Sequence, residues 1–188
     1  MSRWEPNARG RLEQAAMELF GERGYEQTTV TEIARRAGLT ERTFFRHYAD
    51  KREVLFGGSA ALQDLLVGTL AAAPASAPPI DAVAGALDAV AAVFEERRDH
   101  SLRRQKIISA TAELRERELV KLATLAAALA ETLRGRGVGE PAASLAGEAG
   151  IAVFKVAFER WIDGDGSQGM SAYMREALDG LKDVTAGR

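Results

Sequence analysis

The chain has 188 residues, is 46% hydrophobic and 28% charged, carries a formal net charge of −2, and contains two histidines and no cysteine. That composition suits a globular protein with a substantial core and excludes a disordered chain. It also excludes a disulfide framework, a thiolate zinc site, a cysteine nucleophile and a multi-histidine metal site, since only His47 and His100 can supply imidazole. No stretch approaches twenty uninterrupted apolar residues, and residues 1–6 lack the apolar region of a secretory signal. A cytoplasmic protein with no membrane partner is expected.

Charge is unevenly placed. Residues 1–52 carry 10 Lys and Arg against 8 Asp and Glu, net +2, which leaves −4 for the remainder. Within 33–52 there are six basic and two acidic residues. A basic segment on an otherwise acidic chain points to a local contact with a polyanion.

Apolar residues recur at helical period almost throughout. Ala8, Leu12, Ala15, Ala16, Leu19 and Phe20 share one face of a first helix over 7–23, closed by Gly24. Thr29-Val30-Thr31-Glu32 is a capping box that opens a short second helix ending near Ala37. Gly38-Leu39 makes a turn, and Thr40 caps a third helix running to about Tyr48. Asp50-Lys51-Arg52-Glu53 reads as another capping box, opening a long fourth helix that fades into the Ala/Pro/Ser-rich connection 71–79. Further helices are expected over 80–94, 101–110, 112–136, 141–163 and 171–183, about nine in all, with no strand. Gly135 to Gly139 stops the seventh, and Pro141 suits the first turn of the eighth.

Two short helices joined by a glycine-containing turn make a helix-turn-helix, which needs small residues at the crossing. Ala34 and Ala37 meet that need, while Ile33, Leu39, Phe44 and Tyr48 supply a compact core. Phe44 and Tyr48 lie one turn apart and face inward, so Glu41, Arg42, Phe45 and Arg46 fall on the opposite face. That face is the one that enters a DNA major groove, N-terminal end first. Arg35 and Arg36 read as solvated, with a phosphate in reach.

The segment GLTERTFFRHYADKREVLF (38–56), with Glu22-Arg23-Gly24-Tyr25 and the paired threonines before it, resembles the DNA-binding domain of the tetracycline-repressor (TetR) family. The resemblance covers about the first third of the chain. It implies an all-α homodimer, a variable C-terminal ligand pocket, and repression relieved by a small molecule. It further implies that Thr40, Thr43, His47 and Lys51 occupy positions of phosphate and groove contacts. Two positions depart from the family pattern: Arg42 stands where many members have glycine, and Phe45 where many have tyrosine. The tyrosine's phosphate hydrogen bond is therefore absent, although the ring can still pack on sugar or a thymine methyl. Arg42 adds a fork able to take guanine O6 and N7. Arg46, one turn on, completes the expected DNA-binding set of Thr40, Arg42, Thr43, Phe45, Arg46, His47 and Lys51.

The expected architecture is thus an N-terminal three-helix helix-turn-helix domain (1–52) and a C-terminal helical domain for ligand binding and dimerisation (53–188). In the eighth helix Ala142, Ala146, Ala149, Val153 and Ala157 form a small-residue stripe, while Ile151, Phe154, Phe158 and Ile162 are bulky. The last helix adds Met170, Met174, Ala177, Leu178 and Leu181, and the pair suggests a four-helix dimer interface. Phe94, Ile108, Phe154, Phe158 and Trp161 are the candidate ligand-lining residues. The string 164–169 fits a dinucleotide fingerprint, but it follows a helix, not a strand. The calcium-loop echo at Asp163, Asp165 and Ser167 fails at Gln168 and Met174.

No nucleophile–base pair, metal site or cofactor motif survives, so neither catalysis nor a cofactor is expected. The expected function is a sequence-specific transcriptional regulator, a repressor released by a small-molecule effector, whose partner is double-stranded DNA bearing an inverted-repeat operator. The alternative is a constitutive or architectural DNA-binding dimer without a ligand.

Overall fold

The computed structural model describes residues 7–187, and within them the chain is helical with no strand. The stretch 1–6, on which the absence of a secretory signal was read, lies outside the described residues. In chain order the elements are α1 (Ala8–Arg23), α2 (Val30–Arg36), α3 (Glu41–His47), a 3-10 turn (Arg52–Phe56), α4 (Ser59–Ala72), α5 (Pro79–Glu96), α6 (Arg98–Ala110), α7 (Ala112–Gly135), α8 (Ala142–Asp163) and α9 (Met170–Thr185). The chain divides into two compact units. One runs to Ser59 and takes in Leu102–Glu118; the other comprises Ala60–Ser101 and the chain from Leu119 onward.

The first unit is built on α1. Asn7 caps it, its side-chain oxygen accepting from the Gly10 amide at 3.0 Å, and Gly24 closes it at φ 85 with its amide on the Phe20 carbonyl. Leu12, Ala15, Ala16, Leu19 and Phe20 turn inward to meet Ile33 of α2, Phe44 of α3, and Val54, Leu55 and Phe56 of the 3-10 turn. Ile108 of α6 and Leu114 of α7 are buried in this same core, which is why 102–118 belongs to the first unit. Arg104 binds that segment in place: its Nε donates to the Leu55 carbonyl at 2.7 Å, its guanidinium lies 5.0 Å from the Phe56 ring centre, and it pairs with Glu118 at 3.3 Å. Burial disfavours the Arg104 charge and Glu118 opposes that effect. Arg117 pairs with Glu53 at 2.6 Å and Arg52 with Glu113 at 3.0 Å.

The expected long fourth helix is broken. Asp50 accepts from the Arg52 and Glu53 amides at 2.9 and 3.1 Å, but this opens only a five-residue 3-10 turn. Gly57-Gly58, two adjacent poor helix formers, then lie between this turn and α4, with Gly57 keeping right-handed helical angles at φ −58 and ψ −26. By length and composition Arg52–Ala72 passes for a membrane span. Divided in this way, its α-helical part is 14 residues, about 21 Å long, against a hydrocarbon core of about 30 Å.

The core of the second unit is formed by α5 and α8 with Leu125, Ala126, Leu129 and Leu133 of α7, Leu66 and Leu70 of α4, and Met170 and Met174 of α9. Here the structure corrects the small-residue stripe. Ala146, Val153 and Ala157 are buried inside the unit, so the helices they admit belong to this chain. Gly147 and Gly150 allow the closest approaches: a Cβ on Gly147 would stand 2.7 Å from the Ala126 carbonyl oxygen, and one on Gly150 would stand 2.4 Å from Val83 Cγ1. The row of α8 left facing solvent is Leu145, Ala152 and Val156, with Ala149 half-buried beside it. At the far end Arg98 donates to the Trp161 and Gly164 carbonyls at 3.3 and 2.8 Å, and Glu95 accepts from the Ser171 amide at 3.0 Å. The 164–169 loop is therefore a helix-to-helix connection held at both ends.

Glycine substitutions separate close packing from helix propensity. Gly147→Ala meets backbone and should destabilise by about 1–3 kcal/mol. Gly85→Ala, with nothing within 4 Å, should gain up to about 1 kcal/mol. Urea unfolding of the two variants checks the pair; equal effects would contradict this account of the α7–α8 contact.

Candidate nucleic-acid interface

Neither α2 nor α3 is long enough to persist alone, so caps and burial must hold them. Thr29 Oγ1 accepts from the Glu32 amide at 3.2 Å, and Glu32 Oε2 accepts from the Thr29 amide at 3.0 Å. The Thr29 amide and hydroxyl, together with Arg23, hold the Glu32 carboxyl below its usual range. The turn that follows uses Gly38 at φ 65, with the Leu39 amide on the Ala34 carbonyl at 2.8 Å. Thr40 then caps α3, its Oγ1 accepting from the Thr43 amide at 3.2 Å. Ala34 and Ala37 are buried at the crossing.

Phe44 is fully buried and anchors α3, contributing about 1.5–3 kcal/mol of burial. Its ring lies 5.5 Å from that of Tyr48, centre to centre. Turned the other way, Thr40, Glu41, Arg42, Phe45 and Arg46 are exposed, while Thr43 and His47 are half-buried. Phe45 keeps 51% of its surface in solvent, a large apolar exposure for a residue flanked by basic side chains. Arg35, Arg42 and Arg46 make no ion pair among the described residues, so three guanidinium groups are available on α2 and α3. Arg36 differs, bridging Glu22 at 2.9 Å and Glu18 at 3.2 Å.

Two expected contacts change character. Lys51 Nζ donates to the Tyr25 and Thr28 carbonyls at 2.8 and 3.0 Å and sits 3.9 Å from the Tyr25 ring centre. It is a strut that satisfies the α1–α2 loop, with at most one of its three donors left for a phosphate. His47 Nε2 is buried and makes no hydrogen bond among the described residues, which leaves only Nδ1 for a phosphate. Thr40 and Thr43 share a hydroxyl–hydroxyl bond of 3.0 Å. Sequence reasoning passed over Thr31 on α2, whose hydroxyl donates to Glu41 Oε2 at 2.9 Å; its place in the capping-box string drew attention to Thr29 and Glu32 alone.

The candidate ligand-lining residues do not converge. Ile108 lies in the core of the first unit. Phe94, Phe154, Phe158 and Trp161 do meet in the second, with Phe94 5.7, 5.4 and 6.4 Å from the other three rings and Phe154 stacked on Phe158 at 5.7 Å. Rings at these separations fill the space between them.

Two capped short helices crossing at small residues, the second presenting unpaired cations and an aromatic ring to solvent, define a helix-turn-helix DNA-binding protein. The description "Bacterial regulatory proteins, tetR family" matches residues 13–56, and "MftR C-terminal domain" matches residues 77–186. The chain belongs to the TetR family of transcriptional regulators. It is 42% identical to TcmR, an HTH-type transcriptional regulator of Streptomyces glaucescens, over 82 residues, which is 44% of this chain and 36% of TcmR. It is 27% identical to MftR of Mycobacterium tuberculosis over 92% of this chain and 86% of that one. Among solved structures it resembles the Thermus thermophilus repressor FadR in complex with lauroyl-CoA, with a TM-score of 0.57, 25% identity and 93% of each chain covered. The match thus spans little more than a third of TcmR but most of the other two.

Lys51→Ala should lower stability by about 1–3 kcal/mol, because the Tyr25 and Thr28 carbonyls lose a charged donor. Chemical denaturation checks this; unchanged stability with uniformly weaker DNA binding would return Lys51 to a pure phosphate contact.

Proposed function

We propose that the protein is a sequence-specific repressor that binds an inverted-repeat operator as a homodimer and leaves it when a small-molecule effector binds. The observation that carries the DNA-binding part is the outward face of α3, where Arg42 and Arg46 stand one turn apart without ion-pair partners and Phe45 is exposed between them. Arg42 reads guanine O6 and N7, Arg46 and Arg35 contact backbone, and Phe45 packs on sugar or a thymine methyl. Thr40, Thr43 and His47 supply shorter-range phosphate contacts.

The dimer reading rests on the exposed row of α8. Leu145, Ala149, Ala152 and Val156 are spaced four, three and four residues apart, the spacing of a helix–helix seam. Leu145 and Val156 keep 65% and 49% of their surface exposed. A two-fold dimer delivers two copies of α3 to successive major grooves, roughly 34 Å apart. The effector part is supported by the lauroyl-CoA complex of Thermus FadR. Here an acyl chain would have to part the rings of Phe94, Phe154, Phe158 and Trp161. Their close packing favours a second reading, a constitutive DNA-binding dimer. Operator release by lauroyl-CoA decides between the two, since the constitutive form keeps its DNA at any concentration.

The operator is first selected from a random duplex library. Affinity should then fall by a factor on the order of 10³ between 50 and 200 mM salt for about six phosphate contacts, and Arg42→Ala should lose about 1–3 kcal/mol of discrimination at one base pair per half-site. Salt-insensitive binding, or equal losses on operator and random duplex, would contradict the docking. For the dimer, Val156→Arg leaves the monomer's core untouched and should convert dimer to monomer by light scattering; a monomeric unmodified protein would overturn the seam.

A further inference from the structure

Resting on the reading that α3 enters a duplex, we propose that Glu41 is a second base-reading side chain, selecting cytosine through its N4 amino group, with Thr31 as the residue that positions the carboxylate. The two helices carry only two carboxylates, Glu32 and Glu41. Glu32 is engaged in the capping box and pairs with Arg23 at 2.6 Å. Glu41 is exposed, has no ion pair among the described residues, and accepts one hydrogen bond, from the Thr31 hydroxyl at 2.9 Å.

A carboxylate facing a polyanion is unfavourable wherever its nearest neighbour is phosphate. It becomes favourable opposite a donor, and in the major groove the donors are the amino groups of cytosine and adenine. Guanine and thymine present acceptors, and adenine sets its N7 acceptor beside N6. Cytosine is therefore the base a carboxylate fits best. The position agrees: Glu41 is the first residue of α3, at the end that enters the groove first. Its column on the helix is Glu41–Phe45, beside Arg42–Arg46, so adjacent base pairs are within reach of an acceptor and a donor at once. Thr31 comes from the other helix, and its bond to Oε2 limits the carboxylate's rotation while leaving Oε1 for the base. Sign-specific reading follows, because the same charge that welcomes N4 penalises every base that offers only acceptors there.

Single-base variants of the selected operator, measured with the unmodified protein, Glu41→Ala, Glu41→Gln and Thr31→Val, test this assignment. Glu41→Ala should lose about 5- to 150-fold of a cytosine preference at one position per half-site while binding random duplex more tightly. Glu41→Gln should move that preference toward adenine, whose N6 and N7 match a carboxamide. Thr31→Val should reduce the same preference at the same position and no other. If base preferences survive Glu41→Ala at every position, with operator and random duplex altered alike, the carboxylate merely ties α3 to α2 and the proposal fails. An unmodified protein that selects no duplex overturns the docking, and Glu41's role with it; a preference sensitive to Arg42→Ala but not to Glu41→Ala removes Glu41 alone.

Discussion

A seven-residue helix has too few internal hydrogen bonds to outlast its nucleation cost, and both α2 and α3 have seven residues. Their survival depends on burial of Phe44 against α1, where Leu12 and Leu19 are also closed to solvent. That single anchor fixes the rotation of α3 about its axis. With Phe44 inward, Phe45, Arg42 and Glu41 can only face outward. The threonine caps then fix the first turns, so the outward side chains are held oriented, and in the proposed docking they lose less freedom on binding.

Around this anchor the first unit collects support from distant sequence. Lys51 returns to close the α1–α2 loop, and Ile108 and Leu114 come from α6 and α7 to complete the core. Half-buried Arg104 joins them to the 3-10 turn through the Leu55 carbonyl and Phe56 ring. Both α6 and α7 cross from one compact unit to the other, at Ser101–Leu102 and Glu118–Leu119.

Much of the helix-turn-helix was legible because its determinants are local: a hydroxyl three residues before a glutamate, a glycine where φ is positive, alanines at a crossing. The same locality misled at Asp50, where an equally good capping string opens only a five-residue turn because Gly57-Gly58 follows. The loop contacts of Lys51 and the core that takes Ile108 were not legible because their partners are remote in sequence. Nothing near Lys51 reveals that two loop carbonyls lie beneath it, and an isoleucine looks alike in either core. On α8 the periodicity exposed two stripes but not which one the chain itself covers. Burial of Ala146, Val153 and Ala157 answers that and leaves the Leu145–Val156 row outside. Thr31 and Glu41 needed the crossing of two helices before their bond could be seen.

In the proposed docking the outward face of α3 enters a major groove and touches guanine there. Dimethyl sulfate tests it directly, since it methylates guanine N7 in the major groove and adenine N3 in the minor groove. Premethylation of the selected operator should block binding at guanine N7 at symmetric positions in the two half-sites, and Arg42→Ala should relieve that interference. Interference confined to adenine N3, or none at any guanine, would mean that this helix does not lie in the major groove.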